Sequence, residues 1–304
     1  NSGLPVAWHN STWVGDRTIA FLREHGRLNR KAYQDQTTTK PFCAWVSLAD
    51  PHHPFDAPAP WCWTHRPEEV DLPAHRTRDL DKRPWWHRAA LENTPGGTPE
   101  SRKVREEYSR MPAQSDAQLR EIIANYYGMI SFVDHQVGRI LSALDDAGLA
   151  DNTLVVFTSD NGPHKEGGHK PDFFDSNGPL KGYKRDLYEG GIRVATVAWW
   201  PGKIKPGTSS SHVAAGWDLM PTLCELSGIQ SPNGLDGVSF APTLLGKNKD
   251  QKLRDYLYWE FHERGGKQAV RMGKWKGIRL NVRRHRLDQH QGHHHHVECK
   301  RFCV

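Results

Sequence analysis

Three short segments of this 304-residue chain gather the side chains that can do chemistry. They are Asp50-Pro51-His52-His53-Pro54-Phe55, then Ser159-Asp160-Asn161-Gly162-Pro163-His164, then Lys181-Gly182-Tyr183-Lys184-Arg185 with Glu189-Gly190-Gly191 behind it. Asp160 and Asn161 pair a carboxylate with an amide oxygen. Both are hard donors, suited to Ca²⁺ or Mg²⁺ rather than zinc, although Asp-Asn-Gly is equally an ordinary turn sequence. Two oxygens do not complete a cation's shell, and residues 1–150 show no suitable carboxylate pair to add to them. His52 and His53 could be a metal pair, a general acid or plain loop residues. On an extended backbone, adjacent side chains point to opposite sides, so they could not both face one site. Lys184 could hold an anionic group or belong, with Lys181 and Arg185, to a solvated charge run. The five cysteines include no Cys-x-x-Cys pair and make no even disulfide framework, which leaves the redox compartment open.

Such residues need a rigid frame, and in open α/β sheets ligands gather beyond the carboxyl ends of the strands. Residues 42–48 (FCAWVSL) form an apolar run of strand length ended by Asp50-Pro51, which predicts a strand covered on both faces. Residues 153–158 (TLVVFT) predict a second buried strand that delivers Asp160 and Asn161, and residues 192–199 a third behind Gly190-Gly191. Helices are predicted over 13–24, behind the cap-type residues Ser11 and Thr12, and over 218–226, stopped by Gly228. The strongest helix starts at Ser115 or Asp116 and ends at Gly148. It sets Leu119, Ile122, Ile123, Tyr126, Ile130, Val133, Val137, Ile140, Leu141 and Leu144 on one stripe. Helices alternating with buried strands predict an α/β fold, a mostly parallel mixed sheet covered by helices on both faces. Residues 58–112, rich in Pro, Arg, His and Trp, read as a long surface excursion with short helical pieces. Beyond Gly246, strand-like pieces at 256–261, 267–272 and 274–282 predict a small C-terminal antiparallel α+β subdomain. The expected layout is a catalytic α/β domain over 1–246, the subdomain over 247–282, and a tail over 283–304. That tail holds six of the 18 histidines and no apolar period, and is expected to be disordered or foreign.

The apolar content is enough for a core, which excludes a chain disordered throughout. The longest apolar runs, such as 194–200, fall far short of the ~18 residues of a membrane span. Of the net charge of +6, the tail carries +3, and elsewhere both signs alternate, as in Asp79-Leu80-Asp81-Lys82-Arg83. This pattern suits a solvated face and predicts no nucleic-acid partner. The chain opens on Asn1 without a charged-then-apolar leader, so upstream polypeptide is expected to have been removed or never captured.

Residues 42–58 (FCAWVSLADPHHPFDAP), 151–162 (DNTLVVFTSDNG) and 178–202 (GPLKGYKRDLYEGGIRVATVAWWPG) resemble motifs of the type I, formylglycine-dependent sulfatases of the alkaline phosphatase superfamily. The likeness runs from Ser11 to Val282. It implies a sulfuric ester hydrolase, arylsulfatase-like, acting on an aryl or carbohydrate sulfate. It further implies that Asp160 and Asn161 ligate Ca²⁺, with Mg²⁺ a lesser choice, and that His52 protonates the leaving oxygen. Lys184 would contact the sulfate, with His164 also binding substrate, and Tyr188-Glu189-Gly190-Gly191 would form a turn beneath the site. The partner implied is a sulfated small molecule or glycan, in a periplasmic, secreted or lysosome-like compartment.

Three family features are absent from the sequence: an N-terminal Asp-Asp pair, a Lys/His-bearing segment, and the Cys-x-Pro-x-Arg whose cysteine becomes formylglycine. Cys62-Trp63-Thr64-His65-Arg66 lacks the proline and lies on the wrong side of His52. The chain is therefore expected to be the C-terminal two-thirds of a sulfatase, inactive alone. Two other functions stay open: a phosphate or phosphonate ester hydrolase, and a non-catalytic binder that stacks sulfated glycans on Trp61, Trp63, Trp85 and Trp86.

Overall fold

The computed structural model describes residues 5–72, 115–165, 171, 175–263 and 265–282, and the backbone of 298–301. The chain divides into two compact units, Asn1–Thr153 with His164–Ser176, and Leu154–Pro163 with Asn177–Val304.

Two long helices, α1 (Asn10–Gln34) and α2 (Asp116–Asp146), frame the first unit. α2 starts in a capping box. The Ser115 hydroxyl accepts from the Gln118 N–H at 3.2 Å and the Gln118 side chain accepts from the Ser115 N–H at 2.8 Å, satisfying two donors that a helix start otherwise leaves bare. It ends at Ala147, followed by Gly148 at φ +70°. The buried face differs from the predicted stripe. Leu119, Ile123 and Leu144 are buried as expected, but Ile130 is 43% exposed, and Ala124, Gly128, Met129, Phe132 and Gln136 take the interior. Small residues turn the helix: a Cβ on Gly128 would lie 2.5 Å from the Trp61 carbonyl oxygen, so only glycine admits that backbone.

α1 runs ten residues past its predicted end at 24. Residues 25–34 are mostly good helix formers, and Arg27 pairs with Glu24 at 2.7 Å. Packing adds to this. Gly26 lies against Ala147, where a Cβ would sit 2.7 Å from the carbonyl oxygen, and Arg30 Nη1 donates to the same carbonyl at 3.1 Å. Between the helices Arg139 donates to the buried Gln136 at 2.7 Å and to Asp16 at 2.6 Å.

Residues 42–48 belong to no ladder among the described residues, and Trp45 is 83% exposed. A strand is defined by its neighbour, and none of the described residues pairs with it. The excursion after residue 58 holds two short 3-10 turns, Trp61–Trp63 and Pro67–Glu69. The remainder, with Trp85 and Trp86, lies outside the described residues.

In the second unit β1 (Val155–Thr158) pairs antiparallel with β2 (Thr196–Trp199), Phe157 opposite Val197. Where a strand was predicted to start, Glu189–Ile192 forms the short helix α3, and the strand begins only at Thr196. The predicted burial of residues 153–158 is also partial, with Phe157 56% exposed. Two helices follow, α4 (Leu219–Ser227), stopped by Gly228 at φ +68° as predicted, and α5 (Ala241–Leu244). A four-stranded antiparallel meander closes the unit: β3 (Leu257–Phe261), β4 (Lys267–Met272), β5 (Trp275–Leu280) and β6 (Glu298–Arg301). Its core joins Ala269 and Ile278 to Leu187, with Tyr188, Ile192, Trp259 and Phe261 around them. Of the tail, only the β6 backbone is described. The mixture of helix and sheet agrees with the α/β class, while every described strand pair is antiparallel. Among the described residues no helix is long and apolar enough to cross a membrane.

Candidate active site

His52, His53 and His164 lie in the first unit, and Asp160, Asn161 and Lys184 in the second. In the first, the chain bends where the sequence suggested an extended segment: the His52 N–H donates to the Ala49 carbonyl at 3.0 Å, closing a turn. The two adjacent histidines therefore stack instead of diverging. Their ring centroids are 4.3 Å apart, and His164 joins them at 5.3 Å from His52 and 4.8 Å from His53. His52 Nδ1 is 2.9 Å from the His53 carbonyl oxygen. A carbonyl only accepts, so Nδ1 carries the proton of this contact and Nε2 is the ring nitrogen that it does not engage.

Behind this loop sits Asp50, which the sequence reading passed over as a strand terminator. Its buried carboxylate accepts from the Ser11 hydroxyl and lies 3.6 Å from His9 Nδ1. Burial pushes the nearby Asp56 carboxyl above its usual range, His9 opposes that rise, and Asp50 adds to it.

The second unit ties three segments into one backbone knot. The Gly162 N–H donates to the Gly191 carbonyl at 3.0 Å, the Lys184 N–H to the Pro163 carbonyl at 2.8 Å, and the Gly190 N–H to the Lys181 carbonyl at 2.8 Å. Asp160-Asn161, at the end of β1, and Lys184 are thus set by neighbouring backbone bonds. Glycine is required because the strands of the knot nearly touch. A Cβ on Gly190 would lie 2.2 Å from the Gly182 carbonyl oxygen, and one on Gly162 would lie 1.8 Å from that of Gly190. Gly190→Ala is accordingly expected to cost about 3 kcal/mol of stability, since backbone rather than a side chain must yield. Gly138→Ala on α2, where a Cβ meets nothing within 4 Å, is the control. It should be neutral or stabilising by up to about 1 kcal/mol in the same denaturant titration.

The donor set at Asp160-Asn161 fits part of a hard-cation shell. Asp160 Oδ1 accepts from the Asn161 N–H at 2.9 Å, and Asn161 Nδ2 donates to the Gly162 carbonyl at 3.1 Å. The second bond engages the amide nitrogen, so the amide oxygen is the group of that side chain suited to a cation. Among the described residues no group of three His, Cys, Asp or Glu side chains could hold a metal ion, so within them these two residues make only part of a shell.

Around Lys184 the loop's charges are distributed by structure. Lys181 Nζ lies 4.2 Å above the Tyr188 ring, and Arg185 Nε is 3.4 Å from Glu263. Beneath, the buried Glu189 is bonded to Lys276 at 2.8 Å and to Arg271 at 3.1 Å. Burial lowers the Lys276 amine below its ordinary range, Glu189 opposes that, and Arg271 adds to it. The sequence reading missed this cluster. Its signal was charge at strand positions: Arg271 of β4 and Lys276 of β5 lie directly opposite each other, a like-charge pair that calls for an acid between them.

Comparison with known proteins adds the family. The family model described as Sulfatase matches residues 27–229, and one described as N-sulphoglucosamine sulphohydrolase, C-terminal, matches 181–293. Human arylsulfatase A is 40% identical over 150 residues, 47% of this chain and 28% of that protein. Mouse N-acetylgalactosamine-6-sulfatase is 36% identical over 160 residues, 50% of this chain and 28% of that protein. The matched stretch thus spans under a third of these curated relatives. Among solved structures, Ps i-CgsB in complex with k-i-k-neocarrahexaose superposes at TM-score 0.56 and 25% identity over 91% of this chain and 50% of that one. The phosphonate monoester hydrolase of Agrobacterium radiobacter superposes at 0.58 over 92% and 54%, and at 23% identity shares the fold alone.

Proposed function

The chain belongs to the sulfatase family, and on that premise we propose that it supplies the metal-binding, sulfate-holding and proton-donating side chains for hydrolysis of an aryl or carbohydrate sulfate ester. The supporting observation is the backbone knot that anchors a hard-oxygen pair, Asp160 and Asn161, and the cationic Lys184 within one folded unit. A phosphonate monoester hydrolase shares the fold, so the fold does not choose between sulfate and phosphonate; the sequence matches, which are to sulfatases, favour sulfate.

In this reading Asp160 and Asn161 are two ligands of a Ca²⁺ ion, which when bound would polarise a sulfate oxygen. The attack on sulfur is assigned to a formylglycine outside these 304 residues, because no Cys-x-Pro-x-Arg occurs within them. Lys184 contributes positive charge where the sulfate oxygens gain negative charge in the transition state. His52 gives its Nε2 proton to the departing oxygen as the S–O bond breaks. It is left as the neutral ring whose Nδ1–H still donates to the His53 carbonyl. His164 stacks on His52 and lies tilted against His53, and would limit how the His52 ring turns. The substrate is a sulfated small molecule or glycan, handled outside the cytosol.

A general acid matters in proportion to how poor the leaving group is. In the full-length enzyme His52→Ala should lower kcat on an alkyl or sugar sulfate about 100-fold, and on 4-nitrophenyl sulfate, whose phenoxide leaves unaided, by under about 10-fold. Equal losses on both substrates would remove His52 from the role of acid.

A further inference from the structure

From the contacts of β4 we infer that Lys267 is a positioning residue for Lys184, holding both of its chain neighbours from the C-terminal sheet. This rests on the proposed contact of Lys184 with the sulfate. Lys267 Nζ donates to the Arg185 carbonyl at 2.8 Å and to Asp186 Oδ1 at 2.7 Å. The other oxygen of that carboxylate, Oδ2, accepts from the Tyr183 N–H at 3.2 Å, and the Asp186 N–H donates to the Tyr183 carbonyl at 2.7 Å. Tyr183 and Arg185 are the residues on either side of Lys184. One ammonium group therefore fixes the backbone just after it directly, and the backbone just before it through one carboxylate.

Two further observations support a purpose beyond surface pairing. Arg185 sits at φ +72°, a left-handed conformation that a side chain with a Cβ adopts only when its surroundings enforce it. The Lys267 bond to its carbonyl is one such constraint. Lys267 is itself well anchored, since its backbone is in register with Phe261 on one side and Leu280 on the other, and its side chain is only 13% exposed. Its amine lies 5.8 Å from the Phe261 ring centroid. An exposed ion pair would contribute little; a mostly buried lysine that also bonds a main-chain carbonyl restricts the loop. Lys276 and Arg271 on Glu189 secure the following turn of the same loop from the same sheet, so the small sheet acts as the back wall on which the sulfate-holding cation is aimed.

The test is a double-mutant cycle in the full-length enzyme, reading kcat and KM for 4-nitrophenyl sulfate and competitive inhibition by inorganic sulfate. Lys184→Met should lower kcat/KM about 100-fold, and Lys267→Met about 10-fold with weaker sulfate inhibition; the double variant should be no worse than Lys184→Met alone, because nothing remains to be positioned. Should Lys267→Met not fold, Asp186→Asn enters the same cycle, where it removes the charge that Lys267 binds at nearly constant shape. Losses that multiply in the double variant, or a Lys267→Met enzyme with normal turnover and sulfate inhibition, overturn the inference. If Lys184→Met itself leaves turnover and sulfate inhibition unchanged, the assigned role of Lys184 fails and positioning falls with it. A large Lys184→Met loss beside multiplicative effects overturns positioning alone.

Discussion

Release of phenol from a chromogenic aryl sulfate by residues 1–304 alone is expected to match that of a boiled sample, with no burst and no steady turnover. Hydrolysis through a covalent intermediate needs an activated nucleophile, and removing one typically costs about 10⁶-fold in kcat, far more than losing an acid or an orienting group. The described free cysteines are Cys43, Cys62 and Cys224. Cys62 sits in a 3-10 turn packed under α2, where Trp61 meets Phe132 at 4.7 Å, and its sequence context lacks the proline of the family's nucleophile segment. Cys43 and Cys224 have no arginine four residues on. The measurement is stopped-flow and long-incubation assay with Ca²⁺ present. Steady phenol release that His52→Ala abolishes would show that a nucleophile does lie within these residues.

Ca²⁺ affinity should separate this chain from the full-length enzyme by about three orders of magnitude. Ca²⁺ takes six to eight oxygens and its affinity follows the number of charged ligands, from about 10⁻⁶ M in well-furnished sites to about 10⁻³ M in poor ones. This chain offers Asp160 and Asn161, and among the described residues no acidic cluster completes them. Calorimetry on residues 1–304 should give millimolar or weaker binding, changed little by Asp160→Ala. In the full-length enzyme, where upstream carboxylates would complete the shell, the same substitution should weaken binding about 10³-fold, to the level of the short chain. Micromolar Ca²⁺ binding by the 304 residues alone would mean that they contain a full carboxylate set. Unchanged affinity in full-length Asp160→Ala would remove Asp160 from the metal.

Some of the structure could be read from neighbours in sequence alone. The capping box at Ser115 and Gln118, the stop at Gly148, the stop of α4 at Gly228 and the strands around Gly273 are chain-local signals. Hydrogen bonds a few residues apart and the demand for positive φ decide them, so they survive whatever the rest of the fold does. The position of Asp160 and Asn161 just past β1 was legible for the same reason. Other features depended on partners distant in sequence. Which face of α2 is buried was settled by Gly128 meeting the Trp61 carbonyl, not by the most apolar stripe. The length of α1 was settled at Ala147, over a hundred residues away, and residues 42–48 are not a strand here because no described strand pairs with them. The stacking of His52 on His53 required a turn where periodicity suggested extension. The fixing of Lys184 by Lys267, some eighty residues later, could be seen only once β4 had folded. Local bonds set caps and glycine stops, whereas helix extension, burial, sheet partnership and the aim of a charged side chain are relations between distant segments, which chain-local patterns do not record.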